Sequence, residues 1–252
     1  MCIRDRMSTD FWFGGEPNPY LVKNSVKLNE SELTRTPADT DPHEYGESSE
    51  IATASSTIAD SSVNTKVFDV STWAGTGSTQ TITNGIDLAG EGGMVWTKGR
   101  EVSENHMIHD SERGKTGSYF DALQTNVTNA DYTDASYGLT SFNSDGFTLG
   151  GNNAQFNGSG DGSYVSWTFR KAPKFFDVVQ YTGTGSAQSI SHELGSAPGM
   201  VIVKSLDAAY SWSVYHSGTG ADKYMFLNTT GNAITDNQYW NNTSPTLSLI
   251  HI

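Results

Sequence analysis

Four residues able to do chemistry crowd into the stretch "HMIHDSE": His106, His109, Asp110 and Glu112. On a helix, imidazoles at this spacing could share a metal ion, and the two carboxylates could serve as acid and base. A strand undoes the pairing, because His106 and His109 would then face opposite sides. Hard oxygen ligands suited to calcium occur in "NADYTD" (129–134), "NSDG" (143–146) and "GSGDG" (158–162). None shows the full ligand alternation closing on a bidentate glutamate. Asp-Gly is also a favoured hairpin turn, so turns are the better-supported reading and calcium the alternative. Tyr239 and Trp240 in "NQYWNNT" could stack on a sugar ring or fill a core; the core reading is preferred. "GTGS" at 75–78 and 183–186 lacks the Gly-Lys-Ser/Thr and the helix of a phosphate loop. "NVT" at Asn126 and "NTT" at Asn228 matter as sugar acceptors only in a secreted chain. With no nucleophile elbow or other catalytic spacing, the expectation is a non-enzyme with no catalytic residue, metal or cofactor.

The elements that must position these residues read as strands. The chain has 252 residues, of which 26 are glycine, only 17% are charged, and few are long helix formers. Ser, Thr, Asn and scattered aromatics favour short strands joined by many turns. "SYVSWTFRK" sets Val165, Trp167 and Phe169 on one face and Tyr164, Ser166 and Thr168 on the other, the period of a half-buried antiparallel strand. The formal charge of -13, with no basic stripe, argues against nucleic acid as a partner. No apolar run approaches the roughly 20 residues of a spanning helix, so membrane insertion is not expected.

The text repeats itself. "KVFDVSTWAGTGSTQTIT" from Lys66 returns as "KFFDVVQYTGTGSAQSIS" from Lys174, a lag of 108 residues. "GMVWTK" from Gly93 returns as "GMVIVK" from Gly199, and "HDSERG" from His109 as "YHSGTG" from Tyr215, both at a lag of 106. The period suits a sandwich module of about 100 residues. The fold class expected is all-β: tandem antiparallel β-sandwich modules of jelly-roll type, the first over 66–173, the second over 174–246 and truncated. The 106-residue lag sets Thr246 opposite Thr140, leaving 141–170 without a counterpart. At about 1.5–3 kcal/mol per buried apolar side chain, losing Phe142, Phe147, Leu149, Val165, Trp167 and Phe169 makes the second copy marginal. The repeat also weighs against a site in "HMIHDSE", since the counterparts are Trp212, Tyr215, His216 and Gly218.

The two ends stand apart. "MCIRDR" can be written in codons whose opposite strand translates as Leu-Ser-Leu-Ile-His-Ile, which is residues 247–252. Inverted ends of this kind resemble a transposon-end sequencing adaptor, so 1–6 and 247–252 are read as adaptor-derived. Cys2, the sole cysteine, falls in the first of them. Residues 7–38 read as a partial N-terminal strand segment, and 39–65 as an acidic Ser/Thr-rich linker.

"FDVVQYTGTGSAQSISHELGSAPGMVIVK", "WSVYH", "LNTT" and "YWNNTSPT" together resemble a repeated β module of tail-associated virion proteins of tailed, marine-type phages. "GMVWTKGR", "LTSFNSDGFTLGG" and "GSYVSWTFRKAP" resemble the first module of the same family. "NSVKLNESELTRTP" resembles the opening of a concanavalin-like domain whose body is missing between Pro37 and Lys66. The resemblance implies a structural or adhesion protein of the virion, on a tail fibre or nearby. Its implied partners are other virion and tail proteins, copies of itself in a homo-oligomer, and a host surface glycan. The alternatives are an extracellular carbohydrate-binding or adhesin module of a bacterium and, less favoured, a glycan depolymerase using Asp110 and Glu112.

Overall fold

The computed structural model describes residues 66–132, 138–246 and 249–251. The expected segments 1–6, 7–38 and 39–65 lie outside the described residues. In chain order the first module holds β1 (Phe68–Ala74), β2 (Gln80–Thr83), the short helix α1 (Leu88–Glu91), β3 (Gly93–Gly99), β4 (Met107–Asp110) and β5 (Lys115–Thr116). There follow β6 (Tyr119–Phe120), β7 (Leu123–Gln124), β8 (Leu139–Asn143), β9 (Gly146–Leu149) and β10 (Ser163–Arg170). The fold is all-β and antiparallel, as the composition indicates.

One sheet runs β1-β10-β3-β4-β7 and a second runs β2-β9-β8. The first strand thus lies beside the last and the second beside the next to last, the nested pairing of a jelly roll. The core between the sheets takes Trp73, Val95, Met107 and Tyr164 from one side and Ile82, Leu139, Phe147 and Leu149 from the other. Trp73 stacks near-parallel on Tyr164, with ring centres 6.0 Å apart.

The alternation on β10 is as expected, but its core face is the opposite one. Tyr164, Ser166 and Thr168 are fully buried, while Val165 and Trp167 are only half-buried. Tyr164 donates its hydroxyl to the Ala154 carbonyl and accepts from the Gly158 amide. Thr168 accepts from the buried Asn84 side chain. Hydroxyls can occupy a core when local partners meet them; Tyr164 and Thr168 find theirs in the β9–β10 loop and after β2, whereas among the described residues the Ser166 hydroxyl has no partner. The apolar face is not wasted. The register lines up Val70, Trp167, Trp96, Ile108 and Leu123 across all five strands. Phe175 and Phe176 close on Phe169 at one end of this outer face.

The "NSDG" stretch turns the chain between β8 and β9, setting Phe142 opposite Phe147 and Asn143 opposite Gly146. Gly146 has φ 152°, and a Cβ there would collide with the Ile82 carbonyl on β2. Gly146→Ala should therefore lower stability by about 1–3 kcal/mol, read as a fall in the denaturation midpoint with an unchanged slope.

The second module repeats part of the first, strand pairings and local hydrogen bonds alike. It holds β11 (Ser189–Ser191), β12 (Met200–Val203), β13 (Ser213–His216), β14 (Lys223–Phe226) and β15 (Ile234–Thr235), then β16 (Leu249–His251). The His106 amide donates to Asn126 Oδ1 at 3.0 Å, and the Trp212 amide to Asn228 Oδ1 at 2.9 Å. Lys98 Nζ bonds the carbonyls of Gly99 and Val102, and Lys204 Nζ those of Ser205 and Ala208. The Ile86 amide donates to the Asn84 side chain, and the Leu194 amide to His192 Nδ1. Like topology in the two copies follows from these shared contacts.

Two expectations need correction. The Ala122–Tyr132 bridge recurs as the Tyr224–Ile234 pair, so the lag shortens to 102 beyond β4. Thr246 then stands opposite Ser144, not Thr140, because the β4–β7 connection is four residues longer in the first copy. The repeat leads one to expect a strand before "GTGS" in both copies, and only the first has it. Asp177–Thr182, the counterpart of β1, is not a strand, since it lacks the β10 neighbour that pairs β1 along its whole length.

Candidate functional site

Only the core of "HMIHDSE" forms a strand, β4, and its alternation sends His109 and Asp110 to opposite sides. His109 is 1% exposed, with its ring edge-on to Phe156. Burial, with Arg113 adding to it, pushes its pKa down from 6.5 to about 3. It is a neutral core residue. His106 lies before the strand, half-buried, its pKa lowered by burial and by Lys98.

Asp110 turns outward into an ion cluster. Its carboxylate accepts from Arg113 Nε at 2.6 Å and from the amides of Glu112 and Arg113. Arg113 NH1 reaches Asp131 at 2.8 Å, and NH2 bonds the Ile108 carbonyl. The Arg113 side chain is 5% exposed, so this is one buried cation held between two carboxylates. Burial raises the Asp131 pKa, with Arg113 pulling it back. Glu112 points elsewhere and pairs with Lys171 at 3.0 Å. Asp110 is thus saturated by donors and Glu112 is separately paired, so the two do not converge as acid and base. Asp110→Asn keeps the acceptor oxygen but loses the ion pair, and should cost about 1.5–3 kcal/mol, measured by chemical denaturation at pH 7.

Two of the calcium candidates, "NSDG" and "GSGDG", form turns. The Asp145 carbonyl accepts from the amides of Asn84 and Gly85 and pins the "NSDG" hairpin to the end of β2. In "GSGDG", Gly160 and Gly162 have φ 86° and 87°, the left-handed values such a tight loop needs. In "NADYTD", Asn129 bonds Gln124 and Asp131 bonds Arg113; residues 133–134 lie outside the described residues. Among the described residues, no group of three His, Cys, Asp or Glu side chains is placed to hold a metal ion. Trp240 is 2% exposed and packs with Tyr215 and Tyr224. Tyr239 stacks on Tyr224 at 3.7 Å. Both belong to the second module's core, as preferred from the sequence.

The structure builds its most developed site where no motif pointed: on the outer face of β4 and β7. Trp212, the counterpart of His106, is 4% exposed and packs on Ile108 and Leu123, with Ile202, Leu206 and Leu227 around it. Its Nε1 donates to the carbonyls of Gln124 and Val127, both at 3.1 Å. The Asp131 amide donates to the Leu206 carbonyl across the same contact. Trp212 is thereby the largest buried side chain of this contact between the modules, beside the Asp131–Leu206 bond and the packing of Phe175 and Phe176 on Phe169. The available signal was the apolar face of β10, which shares its row with Trp96 and Ile108.

A second feature is an open polar cleft of about 600 Å³ in the second module, lined by Tyr181, the "GTGS" loop 183–186, Gln188, Asn237, Gln238 and Asn241. In the first module the matching place is full. Trp73, the counterpart of Tyr181, donates its Nε1 to the Phe156 carbonyl, and Asn157 bonds Thr76, Gly77 and Ser78 of the first "GTGS" loop.

Fold and contacts define a pair of like β-sandwich modules locked into one unit. Residues 60–252 match the family described as a domain of unknown function, DUF7483, and the chain belongs to that family. The match covers both modules together and runs through the closing hexapeptide. No curated protein and no solved structure matches the chain.

Proposed function

We propose that the chain is a non-enzymatic structural or adhesion component of a phage virion, carried on a tail fibre or a neighbouring tail protein. The observation that carries this reading is the pairing itself: two copies of one module, sharing strand pairings and local bonds, packed together around Trp212. Such an assembly suits a part that is built, repeated and exposed. The resemblance of the repeated phrases to those of tail-associated proteins supports the same reading. Immunogold microscopy of purified virions with an antibody to the chain tests it. Label on tails is expected; label confined to capsids, or absence of the protein from purified particles, would overturn it.

The cleft beside Tyr181 has the aromatic and amide groups that sugars meet, which favours an extracellular carbohydrate-binding module as the second reading. Against it, the first module fills the matching space with its own chain. Glycan-array binding lost on Tyr181→Ala would establish the second reading.

A further inference from the structure

The cleft, the missing strand and the sheet edge in the second module are one feature. In the first module β10 lies between β1 and β3, seven residues paired on each side. In the second, β12 ends its sheet, and Asp177–Thr182 has no strand partner among the described residues. Val95 and Thr97 are fully buried on β3, while their counterparts Val201 and Val203 are only half-buried on β12. Val179 and Tyr181 are 42% and 36% exposed. The polar cleft is the space that the β9–β10 loop occupies in the first copy.

The neighbouring edge is already taken. β16 pairs with β11 as Ser189–His251, Ile190–Ile250 and Ser191–Leu249. These repeat Thr81–Thr148, Ile82–Phe147 and Thr83–Gly146 of the β2–β9 pair, so residues 249–251 lie in the place of β9 at a lag of 103. A closing hexapeptide unlike the module's own text completes that pairing, and backbone bonding at a sheet edge tolerates such exchange.

We propose that the second module is an acceptor slot for one further extended segment of the module's own kind, equivalent to residues 150–170. Its strand enters between Asp177–Thr182 and Met200–Val203, and its loop fills the cleft beside Tyr181. The repeat fixes the register: the Trp167 position of the incoming strand falls between Val178 and Ile202, and the Ser166 position between Val179 and Val203. In the first copy Ser166 lies between Ser71 and Thr97. The slot therefore prefers an apolar residue where β10 carries serine. This inference is independent of the virion reading.

The test extends the chain after Ile252, the position that the lag sets opposite Leu149, with a second copy of residues 150–171. Amide hydrogen exchange is compared with that of the unextended chain. Amides of 178–182 and 200–203 should slow at least a hundredfold, and further when the added copy carries Ser166→Val. An added copy carrying Tyr164→Asp and Trp167→Asp should give no protection. Protection in a monomer or in a reciprocal dimer supports the slot. Unchanged exchange at 178–182 and 200–203, with β1 to β10 still protected, overturns it, as does equal protection by the Asp-substituted copy.

Discussion

Trp212→Ala is expected to melt the second module while the first stays folded. Truncating a buried tryptophan costs about 3–5 kcal/mol, against about 5–15 kcal/mol for a whole domain. The second module has little to set against that loss. Apart from Phe175 and Phe176, which pack on Phe169, its cores are two small clusters, one around Tyr215, Tyr224 and Trp240 and the other around Trp212 itself. The first module keeps its inter-sheet core, which contains no residue beyond Tyr164. Hydrogen exchange should therefore report fast amides across 200–226 and unchanged protection across β1 to β10. Trp212→Phe separates packing from hydrogen bonding. It keeps an aromatic ring but removes the donor that the Gln124 and Val127 carbonyls share, for about 1–3 kcal/mol. Equal loss of protection in both modules would show that they fold as one unit, and the anchoring role would fall.

The periodic and repeated parts of this fold were legible because they depend on local text. Strand character in β10 follows from alternation, and the hairpin at Ser144 and Asp145 follows from turn chemistry. The two copies share topology because their texts share the residues that make the bonds. What alternation cannot do is say which face of a strand meets the core. On β10 one face is apolar and the other carries hydroxyls, and both are covered, by different partners. Tyr164 and Thr168 of the hydroxyl face sit in the inter-sheet core because the 154–158 backbone and the Asn84 side chain satisfy them. The aromatic face was left for the second module. Asn126 and Asn228 teach the same lesson. As sugar acceptors they mean little, yet each caps the amide before a core strand in its own copy. The chemistry suggested by "HMIHDSE" dissolved for a related reason: β4 separates His109 from Asp110, and Arg113, only three residues on, claims the carboxylate.

Mild acid should destabilise the first module, with His109 the largest single contributor. The unfolded chain binds a proton on this imidazole near pH 6.5, while the folded protein resists until about pH 3. A base whose folded pKa is depressed contributes stability that is whole above 6.5 and is lost as pH falls toward 3. The loss runs at about 1.4 kcal/mol per pH unit and reaches roughly 5 kcal/mol across the window, comparable to the stability of a small domain. The geometry explains the resistance. Nδ1 is buried with no hydrogen-bond partner among the described residues, Phe156 packs edge-on against the ring, and the nearby guanidinium of Arg113 repels a second positive charge. His109→Leu removes the titrating group and keeps the site apolar. Denaturation midpoints measured between pH 7 and pH 4 should fall steeply in the parent and distinctly less in the variant, the remainder coming from carboxylates that both share. Parallel falls in the two proteins would mean that the imidazole is reached by solvent in the folded state, and that the inter-sheet core is looser around β4 than its packing implies.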